Sequence, residues 1–360
     1  MNLSAHQEPV RVTVEGATPE VTALKELLGD FVATSFPSGF SLAVLDAEGP
    51  VFSAYGGQAC RIGTPCPVTA DTSYDLASLT KVVCSVTLTL VFAARDMLSL
   101  EDRVERWLPH FPRSDTTLTH LLTHTSGLIA HKPFFESLRG RSAIEAAVFD
   151  EARGSPPTGE VLYSDLNFML LGWALEACGG APLDVLFARE VAGPLAMSRT
   201  VFRPGRREET AATELDGDQR LTQGLVWGEV HDGNAHALGD VAGHAGLFGP
   251  LDDLVTFTRH LLVPDGSVLT PAGLDAMTAR RAATGDDVRG LGWRLAPKDW
   301  GSWPEATLWH TGFTGTSLLV SGPLGLGVVL LTNAIHPVRR IGEQAEMRAV
   351  IHRCVSEAFA

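Results

Sequence analysis

The chain has no apolar run long enough to cross a bilayer, which takes about 20 consecutive apolar residues. Met1 to Gly16 carries Glu8, Arg11 and Glu15 and has no apolar centre, so it does not read as a signal peptide. Basic residues are in deficit: 28 Lys and Arg stand against 42 Asp and Glu, a formal net charge of −14. Nucleic acid and anionic membrane surfaces both select for positive charge, so neither is expected as a partner. Cysteine is sparse and odd in number, at five. Without a secretion signal, the expectation is reduced thiols in a cytoplasmic protein. Cys60 and Cys66 flank a short Gly-Pro loop and can pair locally under oxidising conditions. Internal repeats and low-complexity tracts are absent, which leaves an ordinary globular composition. At 360 residues the chain can bury one large core or two joined ones. Composition leaves the oligomeric state open.

Hydrophobic spacing orders the chain. Val21, Leu24, Leu27, Leu28, Phe31 and Val32 repeat at helical intervals, which predicts a helix over Pro19 to Phe36. Phe40 to Leu45 and Val51 to Tyr55, split by Asp46-Ala47-Glu48-Gly49-Pro50, predict an antiparallel hairpin. Cys60 to Thr69 reads as a loop. Helices follow over Ser78 to about Asp96, the end of Leu98 to Leu108, Thr117 to Gly127, Ser142 to Ala152, Leu166 to Cys178 and Leu183 to Val191. Gly193 to Thr222 is polar and loop-like, and Gly224 to Gly249 is a Gly- and His-rich irregular wall. A helix over Leu251 to Leu262 precedes strands at Thr307 to Gly312, Ser317 to Val320 and Gly325 to Thr332. A closing helix covers Val338 to Phe359. Strands near both ends with helices between them imply an α+β fold: an antiparallel sheet built from both chain ends, flanked by helices, with an inserted mainly helical domain. The expected division of this single unit is residues 19–77 and 251–360 for the sheet and 78–250 for the helical insert. A site would form in the cleft between them.

Ser78-Leu79-Thr80-Lys81 is the stretch with the clearest chemistry. Residues three apart share one face of a helix. A serine at a helix N-terminus has an unpartnered backbone N–H beside it and a dipole that favours negative charge. That suits a nucleophile whose reaction creates an oxyanion. A buried lysine one turn on loses its proton more readily than a solvated one. The bland alternative is a helix cap followed by a solvated lysine. Two further stretches weigh against it. Tyr163-Ser164-Asp165 lies just before an apolar helix, and His310-Thr311-Gly312 lies on a predicted strand before a glycine turn.

The order of these three motifs resembles the serine β-lactamase and penicillin-binding-protein superfamily, nearest its class C β-lactamase-like branch, which also holds esterases and D-amino-acid peptidases. Leu100-Glu101-Asp102-Arg103-Val104, Leu121-Leu122-Thr123-His124-Thr125-Ser126-Gly127-Leu128 and Leu166-Asn167-Phe168 with Leu170-Leu171-Gly172 match the same branch. The resemblance covers about Phe40 to Asn333. It implies a β-lactamase/transpeptidase-like fold and a serine hydrolase without cofactor or metal, acting on a small ester, amide or peptide-like substrate. Ser78 would form an acyl-enzyme. Lys81 would take its proton or keep Tyr163 ionised, and Tyr163 would shuttle protons to the leaving group and from water. The backbone N–H groups of Ser78 and Phe313 would form the oxyanion hole, with Gly312 allowing close approach.

Two departures bear on the substrate. The middle motif ends in Asp165 where the family often has Asn; a carboxylate can hold Lys81 charged, which favours Tyr163 as base. The last motif begins with His310 where the family often has Lys. Histidine is only partly charged at neutral pH, which favours an esterase or D-amino-acid peptidase over an efficient β-lactamase. His231, His236 and His244 lack the spacing of a helical ligand pair and read as structural or cleft-lining residues rather than a metal site. His124 is expected to bond backbone in a tight turn, and His120 to sit on a helix surface. The rival readings are a catalytically silent ligand-binding protein on this fold and a metal-dependent amidase using those three histidines.

Overall fold

The computed structural model describes residues 11–14, 18–216 and 224–360; the stretches Met1–Val10, Glu15–Ala17 and Gly217–Gln223, including the last part of the polar stretch after Gly193, lie outside the described residues. Its strands are β1 (Arg11–Val14), β2 (Gly39–Leu45), β3 (Pro50–Cys60), β4 (Cys66–Pro67), β5 (Tyr74–Asp75), β6 (Val201–Phe202), β7 (Leu247–Gly249), β8 (Ala282–Thr284), β9 (Asp287–Arg289), β10 (Arg294–Leu295), β11 (Leu308–Thr311), β12 (Ser317–Ser321) and β13 (Leu326–Thr332). The main sheet is antiparallel in the order β1-β3-β2-β13-β12-β11-β10-β9-β8, with β4 added to β3. Its centre joins the two halves of the sequence, with Leu42 opposite Leu330 and Val44 opposite Val328. Both central strands are buried along their whole length, GFSLAVL and LGVVLLT. A strand covered on both faces needs apolar residues at every position, and these two have nearly that.

Alternation sorts their side chains between two layers. Leu42, Val44, Val328 and Leu330 meet Leu24 and Leu28 of the helix Pro19–Thr34 and Met347, Ile351 and Val355 of the helix Ile341–Phe359. Each such leucine, fully buried, contributes about 1.5–3 kcal/mol of transfer free energy. Ala43, Leu45, Val329 and Leu331 face the other way, into the core shared with the helices Lys81–Ala94, Asp165–Gly179 and Leu251–Leu262. A small second sheet, β5-β7-β6, anchors Tyr74 and Asp75 just ahead of Ser78. No single described helix is long and apolar enough to cross a membrane.

Several expected bounds shift. The segment after Leu98 forms only a four-residue helix, Val104–Trp107. The loop after Cys60 folds back as β4, which sets Cys60 opposite Cys66; both thiols are free. Strands β8 to β10 were not foreseen, because each is only two or three residues long, too short to show a pattern, and β9 and β10 carry charge. They exist through pairing with β11 and with one another. The last helix begins at Ile341, three residues later than expected.

One close approach sets the floor of the cleft. Gly243 packs on Gly172 of the helix Asp165–Gly179, and a Cβ at residue 243 would lie 2.1 Å from the Phe168 carbonyl oxygen. The Gly243 carbonyl accepts from Ser85 Oγ at 2.7 Å. Gly243→Ala is therefore expected to lower stability by about 1–3 kcal/mol through overpacking, read as a shifted urea midpoint. An unchanged midpoint would mean that the two backbones are not in contact.

Candidate active site

Ser78 sits in the turn before the first helical residue, not inside the helix. Ala77 holds a left-handed backbone, φ 47°, which a non-glycine residue adopts only under constraint. The constraint is visible: Asp75 Oδ1 accepts the Ala77 N–H at 2.8 Å. The helix then runs with a wide π turn over Lys81–Val86 before becoming α-helical. Such turns are rare and favour functional sites.

Lys81 is fully buried. Its Nζ donates to Ser78 Oγ at 2.9 Å, Asp165 Oδ1 at 2.7 Å and the His244 carbonyl at 3.3 Å, one acceptor for each ammonium proton. Burial pulls the Lys81 pKa down, but the Asp165 carboxylate and the Tyr163 oxygen outweigh it, leaving the lysine above its ordinary value. Burial pushes Asp165 up, but Lys81 and a hydrogen bond from His131 hold it well below the carboxylate range. The expected pairing of Asp165 with a charged Lys81 is present. His131, 3.4 Å from Asp165 Oδ2, was not singled out from sequence. Asp165 raises its pKa through that hydrogen bond.

Asp165 is the first residue of its helix, and its N–H donates to the Ala130 carbonyl. His124, buried with φ 58°, accepts the Ser164 N–H on Nδ1 at 3.0 Å, as a backbone-bonding role requires. Its ring lies 4.6 Å from that of Tyr163. Burial, then Arg289 and Lys81, push His124 far below its ordinary pKa. His120 is not simply on the surface: its Nδ1 accepts the Thr117 N–H while Thr117 Oγ1 accepts the His120 N–H, a reciprocal cap. Tyr163 is half-buried, with Lys81 Nζ 4.9 Å and Arg289 Cζ 5.4 Å from its ring centre.

Beyond β11, Gly312 packs against the residues before Ser78; a Cβ there would lie 2.7 Å from the Leu76 carbonyl oxygen. Phe313 lies in the turn after β11 rather than on the strand itself. Thr314 Oγ1 donates to the Asp75 carbonyl at 2.7 Å. Asp75 thus ties the turn before Ser78 to the turn holding Phe313. Among the described residues, neither the Ser78 nor the Phe313 N–H donates to another protein group. The Phe313 ring stacks on His231 at 5.5 Å and 13°.

His310 departs from expectation. It is 2% exposed, its Nδ1 lies 3.0 Å from the Thr311 carbonyl, and burial, then Lys81 and Arg289, push its pKa far down. It is neutral rather than partly charged. The positive charge at this end of the cleft comes from Arg289 on β9, Arg294 on β10 and Arg348 on the last helix. With Ser78, Tyr163 and His310 they line a cavity of about 360 Å³. None was identified from sequence, since they lie on three separate elements with no shared spacing. On the other side, a cavity of about 220 Å³ is shared by Ser78, Tyr163, Asp165, His131, Asp232 and Phe313.

The three expected structural histidines each take a different carboxylate: His231 with Glu214, His236 with Asp240 and His244 with Asp232. Among the described residues, no group of three His, Cys, Asp or Glu side chains converges as a metal site.

The profile of the family described as Beta-lactamase matches residues 24–351. A relative in Escherichia coli (strain K12), provisionally named D-alanyl-D-alanine carboxypeptidase, is 28% identical over 353 residues, covering 85% of this chain and 80% of its own. The N-acetylmuramyl-L-alanine amidase of Bacillus subtilis (strain 168) is 27% identical, covering 90% and 83%. Among solved structures, EstCE1, a hydrolase with promiscuous acyltransferase activity, superposes with a TM-score of 0.76 at 21% identity, over 94% of this chain and 98% of that one. The octameric penicillin-binding protein homologue from Pyrococcus abyssi gives 0.75 at 19%, over 94% and 76%. These structures share the fold.

Removing one partner of a buried ion pair strands the other. Asp165→Ala is expected to destabilise by about 3–5 kcal/mol, and Lys81→Met with Asp165→Leu to recover most of that. Because the folded carboxylate is depressed, its contribution is present above the unfolded value of about 3.9 and is lost as pH falls toward the folded one. Urea unfolding of the single and double variants from pH 7 to pH 3 reads both effects. Equal stability of Asp165→Ala and wild type at pH 7 would show that the pair is not ionic.

Proposed function

From the premise that this chain belongs to the beta-lactamase family, whose members are hydrolases, we propose that it is a serine hydrolase forming an acyl-enzyme on Ser78. The observation that carries this reading is the contact of Ser78 Oγ with a buried, charge-paired lysine, in a turn whose own N–H is unpartnered. Ser78 Oγ attacks the carbonyl carbon of an amide or ester. The Ser78 and Phe313 N–H groups receive the oxyanion as two preorganised donors. Lys81 is held charged by Asp165, so it is a poor base; Tyr163, reacting as its phenolate with the cations Lys81 and Arg289 beside its ring, takes the serine proton and becomes the phenol. As the carbonyl re-forms, the bond to the leaving group breaks and Tyr163 returns the proton to it. Water then attacks the acyl-serine with the same groups in reverse.

The cleft favours a leaving group that carries a carboxylate. The lysine missing from the third motif weighed against a required substrate carboxylate, and so for an esterase or D-amino-acid peptidase over an efficient β-lactamase, while no other cation was in view. Arg289, Arg294 and Arg348 supply that charge beside Ser78, and planar guanidinium groups match carboxylates in two-bond geometry. Of the activities open to the branch, a carboxypeptidase acting on short peptides of D-amino acids fits best, and the provisional name of the Escherichia coli relative agrees with it. Ester cleavage remains within the reach of the same acyl-enzyme.

Ser78→Ala is expected to lose covalent labelling by a fluorophosphonate or penicillin and to lose several powers of ten in turnover. Retention of more than about a tenth of wild-type activity would sink the acyl-enzyme. The leaving-group reading is tested with N-acetyl-D-alanyl-D-alanine against its C-terminal amide. The free acid is expected to have a kcat/KM higher by about tenfold or more, the size of one charge-assisted contact. Equal values would remove the carboxypeptidase reading and leave the hydrolase.

A further inference from the structure

The arginine-lined cavity holds more positive charge than one carboxylate uses. Asp287 is its acidic wall residue, and it is shared: it lies against Arg289 at 2.7 Å and accepts from Arg294 Nε at 3.1 Å. Arg289 is 2% exposed and its Nη1 has no partner. Arg348 is half-buried, donates only to the Gly312 carbonyl at 3.2 Å, and has no carboxylate partner among the described residues. Burial brings Arg348 down to about 10, so it stays protonated at neutral pH. His310 is neutral, and Lys81 on the far side of Ser78 is already matched by Asp165. Lys298, next along from β10, pairs with Asp286 in solvent. Three guanidinium groups therefore line the cavity with one carboxylate, and the two excess charges come from different elements, a strand and the last helix.

A half-desolvated arginine without an anion is costly unless a ligand supplies one. A single α-carboxylate can engage one guanidinium fork fully. Resting on the carboxypeptidase reading above, we infer that the leaving residue is an amino dicarboxylic acid, its α-carboxylate and its side-chain carboxylate matched to separate guanidinium groups of the Arg289, Arg294 and Arg348 set. Hydrolysis then consumes one water, breaks the amide C–N bond and releases an amino diacid with two negative charges, leaving the acyl residue as a free acid.

The experiment compares N-acetyl-D-alanyl-D-glutamate with N-acetyl-D-alanyl-D-glutamine, which has nearly the same shape but one charge fewer. The kcat/KM ratio is expected to favour glutamate by about tenfold or more, since a cleft built for a charged group rejects the analogue without it. Arg348→Gln, which keeps a donor for the Gly312 carbonyl, is expected to bring that ratio toward one. The folded state of the variant is checked by Ser78 labelling. A second measurement uses wild type alone: free D-glutamate should inhibit turnover of N-acetyl-D-alanyl-D-alanine at lower concentration than D-glutamine. A glutamate to glutamine ratio near one, or equal inhibition by the two amino acids, overturns the dicarboxylate inference while free acids still outrun amides. Equal cleavage of free acids and amides overturns the carboxypeptidase reading itself, and this inference with it.

Discussion

The buried ammonium of Lys81 is the constraint around which the cleft is assembled. A lone charge there would cost several kcal/mol in lost hydration. That penalty is avoided only when Asp165, the Ser78 hydroxyl and the His244 carbonyl are in place together. These partners come from a turn, a helix N-terminus and the glycine-rich stretch packed against that helix. Each has its own anchoring: Asp75 on Ala77, Ala130 on Asp165, and the Gly172–Gly243 contact beneath His244. Satisfying one cation thus fixes the relative position of three segments, and the Ser78 hydroxyl is held as part of the same network.

Around this centre the charges are graded. The Tyr163 ring is near both Lys81 and Arg289 and also near the neutral rings of His124 and His310. Two imidazoles kept uncharged by burial give the tyrosine polar, polarisable neighbours without adding charge. The smaller cavity carries Asp165 and Asp232, and the larger carries three arginines. The two acids are matched by Lys81, His131 and His244, so the excess charge is positive and lies on the arginine side of Ser78, where it would orient an anionic ligand as well as bind it.

Much of this was legible because it is local. Serine and lysine three residues apart at a helix start were expected to meet, and do, although Ser78 lies in the turn ahead of the helix; the departure from Asn to Asp at residue 165 announced a partner for the lysine. Apolar periodicity located the helices Pro19–Thr34 and Leu251–Leu262 and the strands β2, β12 and β13. The neutral state of His310 was not legible, since it follows from burial and from cations distant in sequence. Arg289, Arg294 and Arg348 were missed for the same reason. Strands β9 and β10 have no pattern of their own and form only by pairing in a sheet that already exists.

The pairing of β2 with β13 has a further consequence, for synthesis on the ribosome. Residue 42 must wait for residue 330 before its strand is covered on that edge, and pairings so distant in sequence form slowly. Ser78, Lys81 and Tyr163 emerge early, but Phe313 and Arg348 come last. A nascent chain carrying Ser78 has neither the Phe313 N–H nor the arginines, and its central strand is exposed. The translating protein thus carries an open sheet edge, and the cleft around Ser78 is complete only when the final fifth of the chain has been released.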